Sequence, residues 1–183
     1  MKIVALQTTP NLAYSVGNNN ISTLSNVRTR ENALSAVEIR LANIADAENV
    51  AKLFDLYRQF YEQTSDITLA EEFITARIKN RQSVIFVAES DEKIVGFCQM
   101  YPTFCSVEAA PMMVLYDLFV VNAARKTGAG RALMLAAQSY AKENGFTRLD
   151  LSTAKTNVNA QALYESLDWL RDSQFYYYSL KVN

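Results

Sequence analysis

From residue 37 onward, the chain switches between two spacings of apolar side chains. Val37 to Leu41 is a short run that reads as a strand. Asp46 then looks like a helix N-cap. Val50, Leu53, Phe54, Tyr57 and Tyr61 recur at three- and four-residue intervals, as on one face of an amphipathic helix. Thr68-Leu69-Ala70-Glu71 fits a capping box, in which hydroxyl and carboxylate each satisfy an exposed N–H, and predicts a second helix over 69–80. Ser83–Ser90 and Lys93–Thr103 read as strands joined by a tight Asp91-Glu92 turn. Met112–Val121 is apolar almost throughout and is broken by one acid, Asp117, so it reads as a central strand covered on both faces.

A helix of about fourteen residues follows, buried along Leu133, Ala137, Tyr140 and Ala141 and closed by Asn144-Gly145. Arg148–Ser152 reads as a strand, Asn159–Leu167 as a short helix and Trp169–Leu180 as a final strand or hairpin. The order β-α-α-β-β-β-α-β-α-β predicts a mixed α/β domain with a mostly antiparallel central sheet over residues 37–183. Residues 1–36 differ. They hold six asparagines, the cations Lys2, Arg28 and Arg30 against Glu31 alone, and no sustained period. We read them as a polar extension. Ile3–Leu6 is too short for the apolar stretch of a secretory signal.

Composition removes whole classes of chemistry. The 183 residues include no histidine, which excludes imidazole bases, His-dependent nucleophiles and His-ligated metals. Cys98 and Cys105 are too few for a disulfide framework, and no metal is expected. Eighteen basic and nineteen acidic side chains nearly cancel, leaving no electrostatic footprint for nucleic acid. No apolar run approaches the ~20 residues of a membrane span. These readings point to a cytoplasmic protein that works with carboxylates, hydroxyls, a thiol or the backbone.

The most informative segment runs from Leu118 to Leu133. An apolar strand enters Asn122-Ala123-Ala124-Arg125-Lys126-Thr127-Gly128-Ala129-Gly130-Arg131, a turn with two glycines that opens a helix. Glycines let successive N–H groups converge on one point, and the helix end adds partial positive charge, which together suit a phosphate or diphosphate. No Lys follows Gly130, so this is not a nucleotide P-loop, and the third glycine of a dinucleotide fingerprint is missing.

Arg125-x-x-Gly128-x-Gly130 after an apolar strand resembles motif A of the GNAT superfamily of acetyl-CoA-dependent N-acetyltransferases, (Gln/Arg)-x-x-Gly-x-(Gly/Ala). Asn157-Val158-Asn159-Ala160-Gln161-Ala162-Leu163-Tyr164-Glu165-Ser166-Leu167-Asp168-Trp169 resembles that family's second block, N-x-x-A-x-x-x-Y-x-x-x-G-F, with Asp168 and Trp169 in place of the glycine and phenylalanine. Ile94-Val95-Gly96-Phe97 with Leu115-Tyr116-Asp117-Leu118-Phe119-Val120 looks like the diamine and small-amine branch. Of the acidic pair typical of the polyamine enzymes, only the second member is present, as Asp117.

The resemblance implies acetyl transfer from acetyl-CoA to a primary amine in a ternary complex. Main-chain groups of Leu118, Phe119 and Val120 would face the thioester, freed by a β-bulge there. The turn of Arg125, Lys126, Thr127, Gly128, Ala129, Gly130 and Arg131 would hold the diphosphate, and Asn157 the pantetheine arm. Tyr164 would protonate the departing thiolate. Asp117 would take the proton of the ammonium or anchor it, with Glu62, Asp66 and Glu108 as alternative carboxylates. Tyr57, Tyr61, Tyr101 and Phe104 would line the acceptor pocket. A protein lysine or N-terminus is the alternative acceptor, a non-catalytic acyl-CoA sensor the alternative function, and a homodimer the assembly suggested by analogy.

Overall fold

The computed structural model describes residues 37–182, so the polar extension of residues 1–36 lies outside the described residues. Two compact units divide between Leu151 and Ser152. The first holds β1 (Glu38–Leu41), α1 (Ala47–Phe60), α2 (Ile67–Lys79), β2 (Val84–Ser90), β3 (Lys93–Cys105), β4 (Ala110–Val120), α3 (Ala129–Glu143) and β5 (Leu149–Leu151). The second holds α4 (Val158–Glu165). Among the described residues, no helix is long and apolar enough to cross a membrane.

The strands lie in sequence order, β1-β2-β3-β4-β5, antiparallel except for the parallel β4–β5 pair. The predicted hairpin is present. Asp91 and Glu92 both adopt positive φ, 49° and 59°, the primed-turn geometry that matches strand twist. Alternation divides the side chains between two faces. Ile85, Val87 and Phe97 pack with Val50, Phe54, Ala70 and Ile74 of α1 and α2. On the other face, the Phe86 ring meets Tyr140 of α3, and the Cys98 thiol lies 3.9 Å from the Leu133 carbonyl.

Asp46 stands at the N-cap position of α1, as the sequence reading has it, but its side chain makes no bond to that helix's N–H groups. Asn43 caps a short 3-10 turn at Ile44–Asp46, and Asp46 is the reciprocal member of that capping box. Its carboxylate receives the Asn43 N–H at 2.8 Å and both terminal nitrogens of Arg40 at 2.8 Å, which holds it well below the usual carboxylate range. The second helix starts at Ile67 because Asp66, not Thr68, accepts the Leu69 N–H, at 3.0 Å. At the far end of α3 the αL closure holds, with Gly145 at φ 75° and Phe146 N–H bonded to Ala141 O.

In the second unit, the turn that follows α4 closes on Asp168, which stands at φ 63° where the family pattern has glycine. The Leu167 and Trp169 N–H groups both return to the Tyr164 carbonyl. Residues 169–182 form no strand, contrary to the sequence reading. Asp172 draws the N–H groups of Gln174 and Phe175 onto its own carboxylate, a local turn that competes with extended pairing. Tyr176, Tyr177 and Tyr178 are exposed rather than packed in alternation.

Candidate active site

The site begins with a register shift in the sheet. Gln99 of β3 pairs with Asp117 of β4, yet the next residue, Met100, pairs with Leu115. Tyr116 is therefore an extra residue, a β-bulge. The sequence reading expected this irregularity at Leu118–Val120; it sits just upstream. Consequently Asp117 and Phe119 keep the alternation between them and share the α1/α2 face, while the bulge shifts the phase of Leu115 and the residues before it. Asp117 is only 6% exposed, because the bulge turns it inward against β3 and α1.

Downstream of the bulge, pairing order decides which main-chain groups are available. The Val121 N–H bonds the Val95 carbonyl at 2.9 Å. Counting back by twos, the N–H groups of Phe119 and Asp117 face β3, and those of Leu118 and Val120 face the opposite edge. There β5 pairs only with Met113–Leu115, so among the described residues no strand covers that edge from 116 to 120. Leu118 and Val120 thus turn their N–H groups to that open edge. Phe119 does not, since its main chain belongs to the β3 ladder and its ring packs against Tyr57 at 6.4 Å. Arg125 closes the corner, its Nε donating to the Val120 carbonyl at 3.0 Å and its guanidinium 5.9 Å from the Phe119 ring centre.

The strand then turns through Lys126 at φ 66° and Gly128 at φ 93°, with the Thr127 hydroxyl donating to Ala124 O at 2.8 Å. Gly128 is the left-handed N-cap of α3, and the first i→i−4 bond of that helix runs from Ala132 N–H to Gly128 O. The N–H groups of Ala129 and Gly130 precede it and have no intrahelical acceptor. A Cβ built on Gly128 meets no atom within 4 Å, so the space over the turn is open. Converging donors, a helix N-terminus and clear approach fit a diphosphate.

On the α1/α2 face, Asp117 lies among phenols. Tyr57 packs its ring against Tyr61, Phe97 and Phe119, and its hydroxyl donates to the Tyr116 carbonyl at 3.1 Å. Tyr101 meets Tyr116 edge-on at 5.6 Å. Burial and the Asp117 charge raise the pKa of both Tyr57 and Tyr101. Burial pushes the Asp117 carboxyl up to about 6, while hydrogen bonds from Gln99 and Tyr57 restrain the rise.

Several expected residues stand elsewhere. Phe104 is opposite Pro111, five residues along β3 from Gln99 or ~17 Å at strand rise, and is 55% exposed. Asp66 caps α2, Glu108 bonds Arg148 at 2.6 Å, and Glu62 is an exposed turn residue at φ 62°. In the second unit, Asn157 caps α4, accepting the Ala160 N–H at 3.4 Å and donating to Thr153 Oγ1 at 3.2 Å. The Tyr164 ring is 6.2 Å from that of Trp169.

The sequence reading missed Gln99, Ser83 and Tyr116. The Ser83 hydroxyl donates to Gln99 Oε1 at 2.8 Å, and Gln99 Nε2 donates to Asp117 Oδ2 at 2.7 Å. Only the register across the bulge brings these residues together.

Comparison with known proteins agrees with this geometry. The model of the Acetyltransferase (GNAT) family matches residues 50–169. An uncharacterized N-acetyltransferase of Bacillus subtilis, YhfO, is 45% identical over 146 residues, covering 80% of this chain and 98% of the relative. A crystal structure described as that of a probable acetyltransferase superposes with a TM-score of 0.74 at 32% identity, over 80% of this chain and 98% of the other. The fold is shared too with an aminoglycoside N-acetyltransferase, AAC(6')-Iy, in complex with CoA, at a TM-score of 0.69 and 17% identity over 80% and 96% of the two chains. A strand that opens toward a glycine turn, matched in sequence from α1 through α4, makes this chain a member of the GNAT family and an N-acetyltransferase.

Proposed function

We propose that the chain transfers the acetyl group of acetyl-CoA directly to a primary amine of a small molecule, with Asp117 as proton acceptor. One observation carries this reading: Asp117 is buried in a ring of phenols, on the strand whose next residues turn main-chain donors to an open edge. An alkyl ammonium with a pKa near 10.4 must lose a proton before its nitrogen can attack, which at neutral pH costs roughly 4–5 kcal/mol. A carboxyl pushed up to about 6 is ionised at neutral pH and remains a better acceptor than an ordinary aspartate. The Tyr57, Tyr61, Tyr101 and Tyr116 rings give an ammonium faces to approach and exclude water as it loses its charge.

The remaining roles follow from the same chain. Ala129 and Gly130 N–H groups, with the open space over Gly128, hold the diphosphate of the cosubstrate. Leu118 and Val120 N–H groups meet the thioester oxygen as it gains charge, and one such donor is worth ~3–4 kcal/mol. As the amine nitrogen bonds to the carbonyl carbon and the carbon–sulfur bond breaks, Asp117 takes the amine proton directly or through water. Tyr164 supplies a proton to the sulfur, a role resting on its match to the family's tyrosine.

The test is thiol release from acetyl-CoA over a panel of primary amines, including amino acids, polyamines and amine-bearing antibiotics, alongside a lysine peptide. Turnover with a small amine that falls at least a hundredfold in Asp117→Asn, with CoA affinity retained, supports the reading. Turnover with the peptide alone, or an Asp117→Asn enzyme as active as the parent, defeats it.

A further inference from the structure

Beneath Asp117 lies a polar line that neither the glycine turn nor the acceptor pocket explains. Gln99 has no exposure at all, in a strand otherwise packed with Phe97, Cys98 and Met100. A buried carboxamide in such a place is stabilising only if its hydrogen bonds are made. Here both ends are engaged, Oε1 by the Ser83 hydroxyl at 2.8 Å and Nε2 by Asp117 Oδ2 at 2.7 Å. Ser83 lies just before β2, Gln99 on β3 and Asp117 on β4, so the line crosses three neighbouring segments.

The polarity of this line is fixed. An ionised carboxylate only accepts, so Gln99 must turn its NH2 toward Asp117 and its oxygen toward Ser83, whose hydroxyl then donates. Apolar replacements of Gln99 would fit the core more easily. We infer that Gln99, oriented by Ser83, is a positioning residue that sets both the direction and the ionisation of the Asp117 carboxylate. The inference rests on the proposed role of Asp117, and gives that site its second layer.

The other groups around the carboxylate are phenols and one cation, with a thiol on the opposite face of the sheet. Tyr57 from α1 lies beside it, backed by Tyr61, with its hydroxyl on the Tyr116 carbonyl; Tyr101 comes from β3 and Tyr116 adjoins it on β4, while Cys98 of β3 points toward α3. Arg77 of α2 places positive charge within reach of Tyr101. Burial raises the pKa of Tyr57 and Tyr101 and pushes the Cys98 thiol up to about 12, so all three stay neutral at mildly acid and neutral pH. A titration there between about pH 4 and pH 8 therefore reports on Asp117.

The experiment follows the Asp117 side-chain carboxyl carbon by NMR in 13C-labelled protein, its resonance assigned by its loss in Asp117→Asn. Gln99→Met removes the donor while keeping the length of the side chain. Loss of a hydrogen bond to the charged form should raise the titration midpoint by about one to two pH units. Ser83→Ala, at a half-buried position outside the strand core, should raise it by a smaller step. If Gln99→Met fails to fold, Ser83→Ala decides alone. An unmoved midpoint in a folded variant overturns the inference and leaves Asp117 as the proposed base. The acidic limb of kcat/KM for an accepted amine should move with the midpoint. A midpoint that moves while that limb stays fixed supports the hold of Gln99 on the carboxylate, and overturns instead the reading of Asp117 as base.

Discussion

Replacing Asp117 by asparagine should stabilise the protein at neutral pH while removing its activity. Burial raises the carboxyl from an ordinary value of 3.8 to about 6, a shift of roughly two pH units. At 1.36 kcal/mol per unit this amounts to about 3 kcal/mol. The folded chain holds this proton more tightly than the unfolded chain. The stability tied to Asp117 is therefore fully present below about pH 4 and is lost as pH rises through 6. Asparagine carries no charge at either end of that window. The stability difference between variant and parent should thus shift in favour of the variant by about 3 kcal/mol between pH 4 and pH 8. Every other titrating group cancels in that difference. For a chain of this size the shift corresponds to roughly 6–12 °C in Tm. Urea unfolding of both proteins at several pH values measures it directly. A difference that stays flat across the window, or favours the parent as pH rises, would mean that Asp117 has an ordinary carboxyl. Asp117 would then be no buried, poised base. Stability gained by deleting a catalytic charge is the expected trade at such a site.

Three other changes test the rest of the assignment. Gly128→Val places a β-branched side chain at φ 93° with no protein atom to strike, so the fold should survive with a loss of about 1–3 kcal/mol while CoA binding disappears; unchanged heats in calorimetry would refute the diphosphate role of the turn. Tyr164→Phe should lower kcat by about 10²–10⁴-fold with little change in CoA affinity, measured by stopped-flow thiol release; an unaltered kcat removes Tyr164 from proton transfer. Asp168→Gly relieves a left-handed position at φ 63° and should raise stability by about 0.5–1 kcal/mol in thermal unfolding, whereas a loss would show that the Asp168 side chain contributes more than its backbone strain takes away.

Most of the sheet was legible because β2 and β4 are largely apolar runs bounded by turn residues, and because Asp91-Glu92 dictates a two-residue hairpin. The glycine turn was legible for a similar reason: Gly128 must be left-handed, and few other residues accept φ 93°. Helix starts were less so. Thr68 and Asp66 are both good caps two residues apart, and only the three-dimensional reach of the Asp66 carboxylate to the Leu69 N–H decides between them. The run Tyr176-Tyr177-Tyr178 has strand propensity, but a strand also needs a partner, which propensity does not supply. Gln99 was invisible for a deeper reason. A glutamine in an apolar strand says little until it is known to stand across from Asp117, and that pairing depends on a residue count across the bulge and the 106–109 connection.

The additional residue at Tyr116 also acts as a phase shifter for the whole strand. Asp117 and Leu115 stand opposite Gln99 and Met100, which are neighbours and point to opposite sides, although two positions separate the pair in their own strand. Taking the extra residue out would make them neighbours as well, and each half of β4 would keep the side it already has. The acid would stay under α1 and α2, Leu115 would stay toward α3, and the Leu118 and Val120 amides would keep their edge. A single-codon deletion at that point should therefore leave the sheet standing and take away only a half-exposed ring and the carbonyl that receives the Tyr57 hydroxyl. A deleted protein that fails to fold would show that the sheet itself depends on the irregularity.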